Sequence, residues 1–281
     1  LARLLLRSTD HFLVLTARRS SLGRFAEAGI EEGERVWIRA LDVTDPRERT
    51  AVVDEIEQKL GGVDVLVNNA GVAFRAVVEH VTDEERLEQM DVNFLGPMSM
   101  AGHCLRGMRH RRRGHILNVS SVGGMMAMPT MAVYSASKFA LEGATESLWY
   151  EVRPWNVRVS LIQPGFINSQ SFENTRYTRA SRRSLDDPSR SYHLHYLNMA
   201  TFIGRLMGLA VATPDTVART ILRTMRRVDP PLRVPATIDA HVFSWVRRLL
   251  PRALYHRLLY WSLPQVRRWG PIPRKVVDEP R

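Results

Sequence analysis

Tyr134 and Lys138 stand four residues apart in a stretch with helical character. That spacing sets both side chains on one helical face. A cation beside a phenol favours the phenolate, so the pair predicts a tyrosine whose pKa falls from about 10 toward neutrality. Such a group exchanges protons at working pH. Alone, a Tyr-x-x-x-Lys pair is equally an ordinary surface pair. Ser120-Ser121 closes an apolar run, and a strand end is a rigid place from which to aim a hydroxyl at a substrate oxygen; serine there also caps turns. Asn93 falls inside a helical stretch, where asparagine has poor propensity. Asn68-Asn69-Ala70-Gly71 directly follows another apolar run. Small and amide residues at a strand's carboxyl end let backbone approach a ligand, although the same four residues also make a plain turn.

These residues need elements to position them. Short apolar runs read as strands at residues 12–16, 36–41, 63–67, 115–119 and 157–162, with a last one at 232–234. Helical stretches separate them. Asp45-Pro46 opens one that Gly61-Gly62 ends. Thr82, with Glu85 three residues on, opens another that continues in pieces to about His110. Residues 133–152 form a third, stopped by Pro154, and Pro214 opens one to about Arg227. Alternating strands and helices imply βαβ units and a parallel sheet. Residues 168–200 read as polar and strand-poor, a lid or a disordered stretch. The expected organisation is an α/β domain over 1–235, with a substrate loop at about 168–213, and a basic helical extension over 236–281.

In order along the chain stand Asn-Asn-Ala-Gly, Asn93-x-x-Gly96, Ser121, Tyr134-x-x-x-Lys138 thirteen residues later, and Pro164-Gly165. With these motifs residues 1–230 resemble the short-chain dehydrogenase/reductase family. The strings Ser121-Val-Gly-Gly and Tyr134-Ser-Ala-Ser-Lys138-Phe-Ala-Leu-Glu-Gly143 are similar to its steroid and retinol branch. The resemblance implies a Rossmann-like doubly wound parallel sheet and hydride transfer between a nicotinamide cofactor and a lipophilic alcohol or carbonyl, steroid- or retinoid-like. It implies Tyr134 as the acid/base, Lys138 lowering its pKa and holding the nicotinamide ribose, Ser121 on the reacting oxygen, and Asn93 supporting a water chain to Lys138. It further implies Asp42 and Val43 at the adenine, Asn69, Ala70 and Gly71 along the cofactor, and Pro164, Gly165, Ile167 and Ser169 at the carboxamide. A 3-oxoacyl-thioester reductase, or a scaffold without turnover, are the rival readings.

Two features refine this expectation. The strand at 12–16 ends in Thr16-Ala17-Arg18-Arg19, with no acid there. An acid would bind a ribose 2′-hydroxyl, whereas arginine accommodates a 2′-phosphate, so Arg18 favours NADP over NAD. The family's glycine-rich fingerprint, Thr-Gly-x-x-x-Gly-x-Gly, is absent; it belongs before residue 12, after a first strand. The chain starts at Leu1 rather than Met, and Leu1–Ser8 reads as the end of the helix that follows that loop. A missing first strand would leave a gap mid-sheet, in the order 3-2-1-4-5-6.

Across 281 residues, 44% are hydrophobic and 25% charged, proportions of an ordinary globular chain with a substantial core. The net charge is +11, read mainly as arginine scattered over solvated faces. One cysteine, Cys104, forms no internal disulfide; it reads as a small core residue in a reducing, cytoplasmic setting. No His and Cys spacing suits a metal. Arg109-His110-Arg111-Arg112-Arg113 has no interleaved aromatics, so it reads as a solvated turn and not a nucleic-acid site. In the tail, apolar residues at helical spacing alternate with Trp and Arg. That pattern suits peripheral contact with an acidic membrane, and equally a helix closing the pocket or a homodimer interface.

Overall fold

The computed structural model describes residues 1–168 and 175–270. The chain begins with α1 (Ala2–Ser8), β1 (Leu13–Ala17), α2 (Gly23–Glu27) and β2 (Val36–Ala40). Then come α3 (Pro46–Leu60), β3 (Val65–Asn68), α4 (Asp83–Met90), α5 (Gly96–Arg111) and β4 (Gly114–Val119). The second half holds α6 (Ala132–Val152), β5 (Val157–Gln163), α7 (Arg179–Asp186), α8 (His193–Leu209) and α9 (Pro214–Met225), closing with β6 (Arg233–Pro235), α10 (Ile238–Leu249) and α11 (Arg252–Ser262).

Local chemistry sets the helix ends. The Asp45 carboxylate accepts from the amides of Arg47 and Glu48 at the start of α3, and Pro46 fills the first turn, where no amide is needed. Thr82 and Glu85 form a reciprocal capping box on α4. Between α4 and α5 the chain makes a π-helical turn, Asp91–Leu95, that carries Asn93.

The strands are all parallel, but they form two pieces: β1 with β2, and β3-β4-β5-β6 in that order. β1 is paired only on its β2 side and β3 only on its β4 side. Between them lies a cavity of about 760 Å³, lined by Leu13 and Leu15 of β1, Val65 and Val67 of β3, and Leu1 and Ile221. The cavity thus separates two unpaired strand edges among the described residues. One apolar cluster joins α3, α5, α6 and the sheet through Val53, Met100, Cys104, Leu148, Ile116 and Val159. Cys104 is therefore a core residue, and burial pushes its thiol up to about 12.

Of residues 168–200, read from the sequence as structureless, the described ones include α7 and the first half of α8. The Thr178 hydroxyl caps α7 by accepting from Ser181 N. Tyr196 in α8 is buried, its hydroxyl accepting from Val77 N at 2.9 Å and meeting His80 Nδ1 at 2.8 Å. These bonds satisfy a helix whose polar and aromatic residues show no simple period. The Arg109–Arg113 cluster is mostly exposed, yet three of its arginines are engaged. Arg111 donates to Glu57, Gly61 O and Val63 O, Arg112 to Pro154 O, and Arg113 to Asp64, so the cluster ties α5 to neighbouring loops. No helix among the described residues is long and apolar enough to cross a membrane.

Candidate active site

The site lies at the carboxyl ends of β3, β4 and β5, the edge of a parallel sheet where α/β folds bind ligands. β4 delivers Ser120 and Ser121 directly after Val119, and the amides of Ser120 and Val122 donate to Ile162 O and Pro164 O. Ser121 is extended, and its hydroxyl accepts from Gly123 N at 3.1 Å. α6 supplies Tyr134 and Lys138. The Tyr134 ring lies against Gly123, where a Cβ would come within 2.8 Å of Cε1 and 3.5 Å of Ser121 Oγ, so the serine hydroxyl and the tyrosine ring flank the same glycine. Lys138 is buried, and its ammonium donates to Val119 O at 2.9 Å. Ser121, Tyr134 and Lys138 thus stand about the carboxyl end of β4.

The electrostatics differ from the sequence expectation in one respect. Lys138 was expected to draw the Tyr134 pKa down. Burial of the phenol itself holds it above its ordinary value, while the nearby Ser121 side chain pulls the other way. Burial also lowers the Lys138 ammonium to about 8, against the opposing charge of Glu142, and one of its three donors goes to Val119 O. One shared helical face sets proximity; it does not set solvation.

Asn93 is fully buried in its π-helical turn. Its Oδ1 accepts from Val72 N and its Nδ2 donates to Val72 O, both at 2.8 Å, and also to Ser137 Oγ at 3.0 Å. Ser137 in turn donates to Tyr134 O. Asn93 therefore fastens the segment after Gly71 to the first turns of α6. A Cβ on Gly71 would stand 3.3 Å from Asn93 Oδ1 and 3.9 Å from Lys138 Nζ. Gly71 thus leaves open the space beside the lysine, and Asn69 and Ala70 next to it are exposed.

Several polar residues at the site were not singled out by the sequence. α6 buries a stripe of Lys138, Leu141, Glu142, Thr145 and Leu148 against the sheet. Glu142 Oε1 accepts from Ser120 Oγ and from Gln163 Nε2, both at 2.8 Å. Asn118 bridges Asn68 and Thr145 at 2.8 and 2.9 Å. The i, i+3, i+4, i+7 spacing of that stripe was visible, but its partners were not.

Pro164 is buried and Gly165 follows it. Gly165 N donates to Thr237 Oγ1 and Phe166 N to Asp239 Oδ2, and a Cβ on Gly165 would lie 1.9 Å from that carboxylate, so a side chain there would have to displace Asp239. Ile167 packs on the core near Val119. Ser169 lies outside the described residues. At the far end, Arg18 is exposed after β1, within electrostatic reach of Asp42. Burial works to raise the Asp42 carboxyl, but Thr44's amide and hydroxyl and the Arg18 charge together hold it below its usual value. Val43 is half-buried beside Gly96. The residues fit the nicotinamide-ribose end of a dinucleotide, where Gly71 leaves space and Lys138 keeps donors to spare. No glycine-rich strand-to-helix turn for a pyrophosphate occurs among the described residues.

A parallel α/β sheet with this Ser, Tyr and Lys arrangement at its carboxyl edge defines the class of Rossmann-like oxidoreductases. The short chain dehydrogenase family profile matches residues 1–180, and the chain belongs to that family. It is 36% identical to a 3-ketodihydrosphingosine reductase of Bacteroides thetaiotaomicron over 182 residues, 65% of this chain and 64% of the reductase, so the match spans just under two thirds of that relative. It is 32% identical to human retinol dehydrogenase 8 over 243 residues, 84% of this chain and 76% of the relative. The crystal structure of a short-chain dehydrogenase from Streptomyces avermitilis superposes with a TM-score of 0.75 at 26% identity, covering 93% of this chain and 90% of that one. A Burkholderia cenocepacia short chain dehydrogenase in complex with NADP shares the fold at a TM-score of 0.66 and 22% identity, covering 92% of this chain and 90% of that one.

Proposed function

We propose that the protein interconverts an alcohol and a carbonyl on a small lipophilic substrate, using NADP(H), with Tyr134 exchanging the proton. The observation that carries this reading is that the Tyr134 ring and Ser121 Oγ both face Gly123, with Lys138 held on the same strand end through Val119 O. NADP(H), when bound, supplies or takes up the hydride. Because its pKa is raised, Tyr134 is a neutral phenol at pH 7 and is set to give its proton to an oxygen gaining negative charge. Ser121 adds a second donor where that charge develops. Lys138 retains two donors beyond Val119 O, which suit ribose hydroxyls. Asn93 and Gly71 lie on the side of Lys138 from which a proton would be resupplied. Arg18 would take a 2′-phosphate, Asp42 and Val43 the adenine, and Pro164, Gly165 and Ile167 the carboxamide.

A bulky apolar substrate of steroid, retinoid or sphingoid type is supported by two observations. The relatives named above are a retinol dehydrogenase and a ketosphingoid reductase. Met128, Phe166, Met199, Ile203 and Trp269 also form an apolar cluster. The test is NADPH consumption by the purified gene product over a panel of carbonyl lipids, for wild type and Tyr134→Phe. The variant is expected to keep its fold and lose on the order of 10²–10⁴-fold in turnover. Equal turnover in the two proteins removes the mechanism.

A further inference from the structure

We propose that α10 and α11 form a docking face for an anionic lipid surface. The observation is a second apolar face on each helix. Inward, Phe243, Val246, Leu250, Tyr255 and Leu259 pack on Val122, Met125 and Met126. Outward on α10, Ile238, Val242, Trp245 and Leu249 are 78%, 52%, 60% and 69% exposed, at i, i+4, i+7 and i+11. Outward on α11, Leu254, Leu258 and Trp261 are 50%, 50% and 58% exposed, at i, i+4 and i+7. A helix on a globular protein's surface carries one apolar stripe; a helix apolar on two faces has something against the second.

Charge selects the occupant. Arg247, Arg248, Arg257, Arg267 and Arg268 are exposed around these stripes, and Asp239 is the only acid between residues 236 and 270. Asp239 is already engaged with Phe166 N. A second copy of this chain would bring two arginine-rich faces together, and like charges across an interface oppose it. An anionic bilayer surface answers both features, because arginines meet headgroups while Trp, Leu and Ile enter the acyl boundary. Trp245, Tyr260 and Trp261 are the amphipathic rings that favour that depth. The inner face is built on the turn that follows Ser121, so a docked bilayer lies roughly one helix diameter, ~10 Å, from that turn.

The experiment is flotation of the full chain with vesicles of phosphatidylcholine alone or with 30 mol% phosphatidylglycerol, taking ~30 mol% as a moderately acidic surface. Wild type is expected to float with the acidic vesicles, to stay down with the neutral ones, and to be released by high salt. Trp245→Asp with Leu249→Asp, and separately Arg248→Glu with Arg257→Glu, are expected to weaken flotation by on the order of 10-fold or more. Circular dichroism and the melting temperature are to match wild type, and the arginine pair keeps the test valid if the apolar pair misfolds. Two results overturn the proposal. One is equal flotation of wild type and the arginine pair. The other is a concentration-dependent dimer that both variants dissolve and that acidic vesicles do not compete away.

Discussion

The Lys138 ammonium donates to Val119 O at 2.9 Å, two residues before Ser121, whose hydroxyl shares the face of Gly123 with the Tyr134 ring. A buried cation is thus anchored to the strand that places Ser121. Burial lowers it to about 8, so at pH 7 it is charged and costly. The folded chain holds that proton less tightly than the unfolded chain does. Between pH 8 and 10.5 the unfolded chain binds more protons, and stability rises with pH; below pH 8 the whole penalty is present. Lys138→Met is therefore expected to raise stability at pH 7, by at most about 3 kcal/mol, while turnover falls roughly 10²-fold or more. For wild type, kcat/KM for carbonyl reduction should decline as pH rises through about 8. Thermal melts of the variant and a pH–rate profile of wild type check both halves. A flat profile from pH 7 to 9.5 removes the role given to the lysine.

Glu142 acts on the site through others. It accepts from Ser120 and Gln163, and its charge opposes the desolvation of Lys138. Glu142→Gln retains an oxygen for both donors and deletes the charge. The expected outcome is a shift of the alkaline limb of the pH–rate profile to lower pH, with KM for substrate changed less than about 3-fold. A merely structural role would lower kcat and leave that limb in place.

The sequence made much of this scaffold readable, and the residues show why. Asp45-Pro46 and Thr82 with Glu85 are caps whose chemistry is local, and both helices begin there. Tyr134 and Lys138 share a helix because four residues is a helical repeat. What stayed hidden depends on partners distant in sequence. Glu142 meets Ser120 across 22 residues, and Asn118 meets Thr145 across 27. Residue types alone do not pair them. The Tyr134 pKa went the other way because spacing reports a neighbour and not burial. α8 was missed because its helix is satisfied from outside, through bonds such as Tyr196 to Val77 and His80.

The break between β1 and β3 has a measurable consequence. Two strand edges and their apolar side chains face a cavity of about 760 Å³. The chain of residues 1–281 is expected to enhance ANS fluorescence in its native state, the signature of accessible apolar surface. Its urea m-value should also fall short of that expected for its size, because the two sheet pieces are only loosely coupled. Native protein that leaves ANS dark and unfolds in one steep transition counts against an open slot.

Cofactor choice rests on the opposite end of the site. β1 and β2 end together, with Ala17 beside Ala40, so Arg18 and Asp42 follow at the same level of the sheet. Arg19 is drawn to Glu48 at 3.7 Å, whereas Arg18 stays exposed in the field of an Asp42 carboxylate held ionised. An arginine so placed suits a 2′-phosphate, and a charge-assisted bond of this kind contributes about 1.5–3 kcal/mol. Arg18→Asp is therefore expected to raise KM for NADPH roughly 10- to 100-fold. KM for NADH should change little or fall, since the new carboxylate can accept from a ribose 2′-hydroxyl. Steady-state kinetics with both cofactors at one carbonyl substrate make the comparison. A variant whose NADPH-to-NADH preference equals that of wild type would show that Arg18 does not read the phosphate.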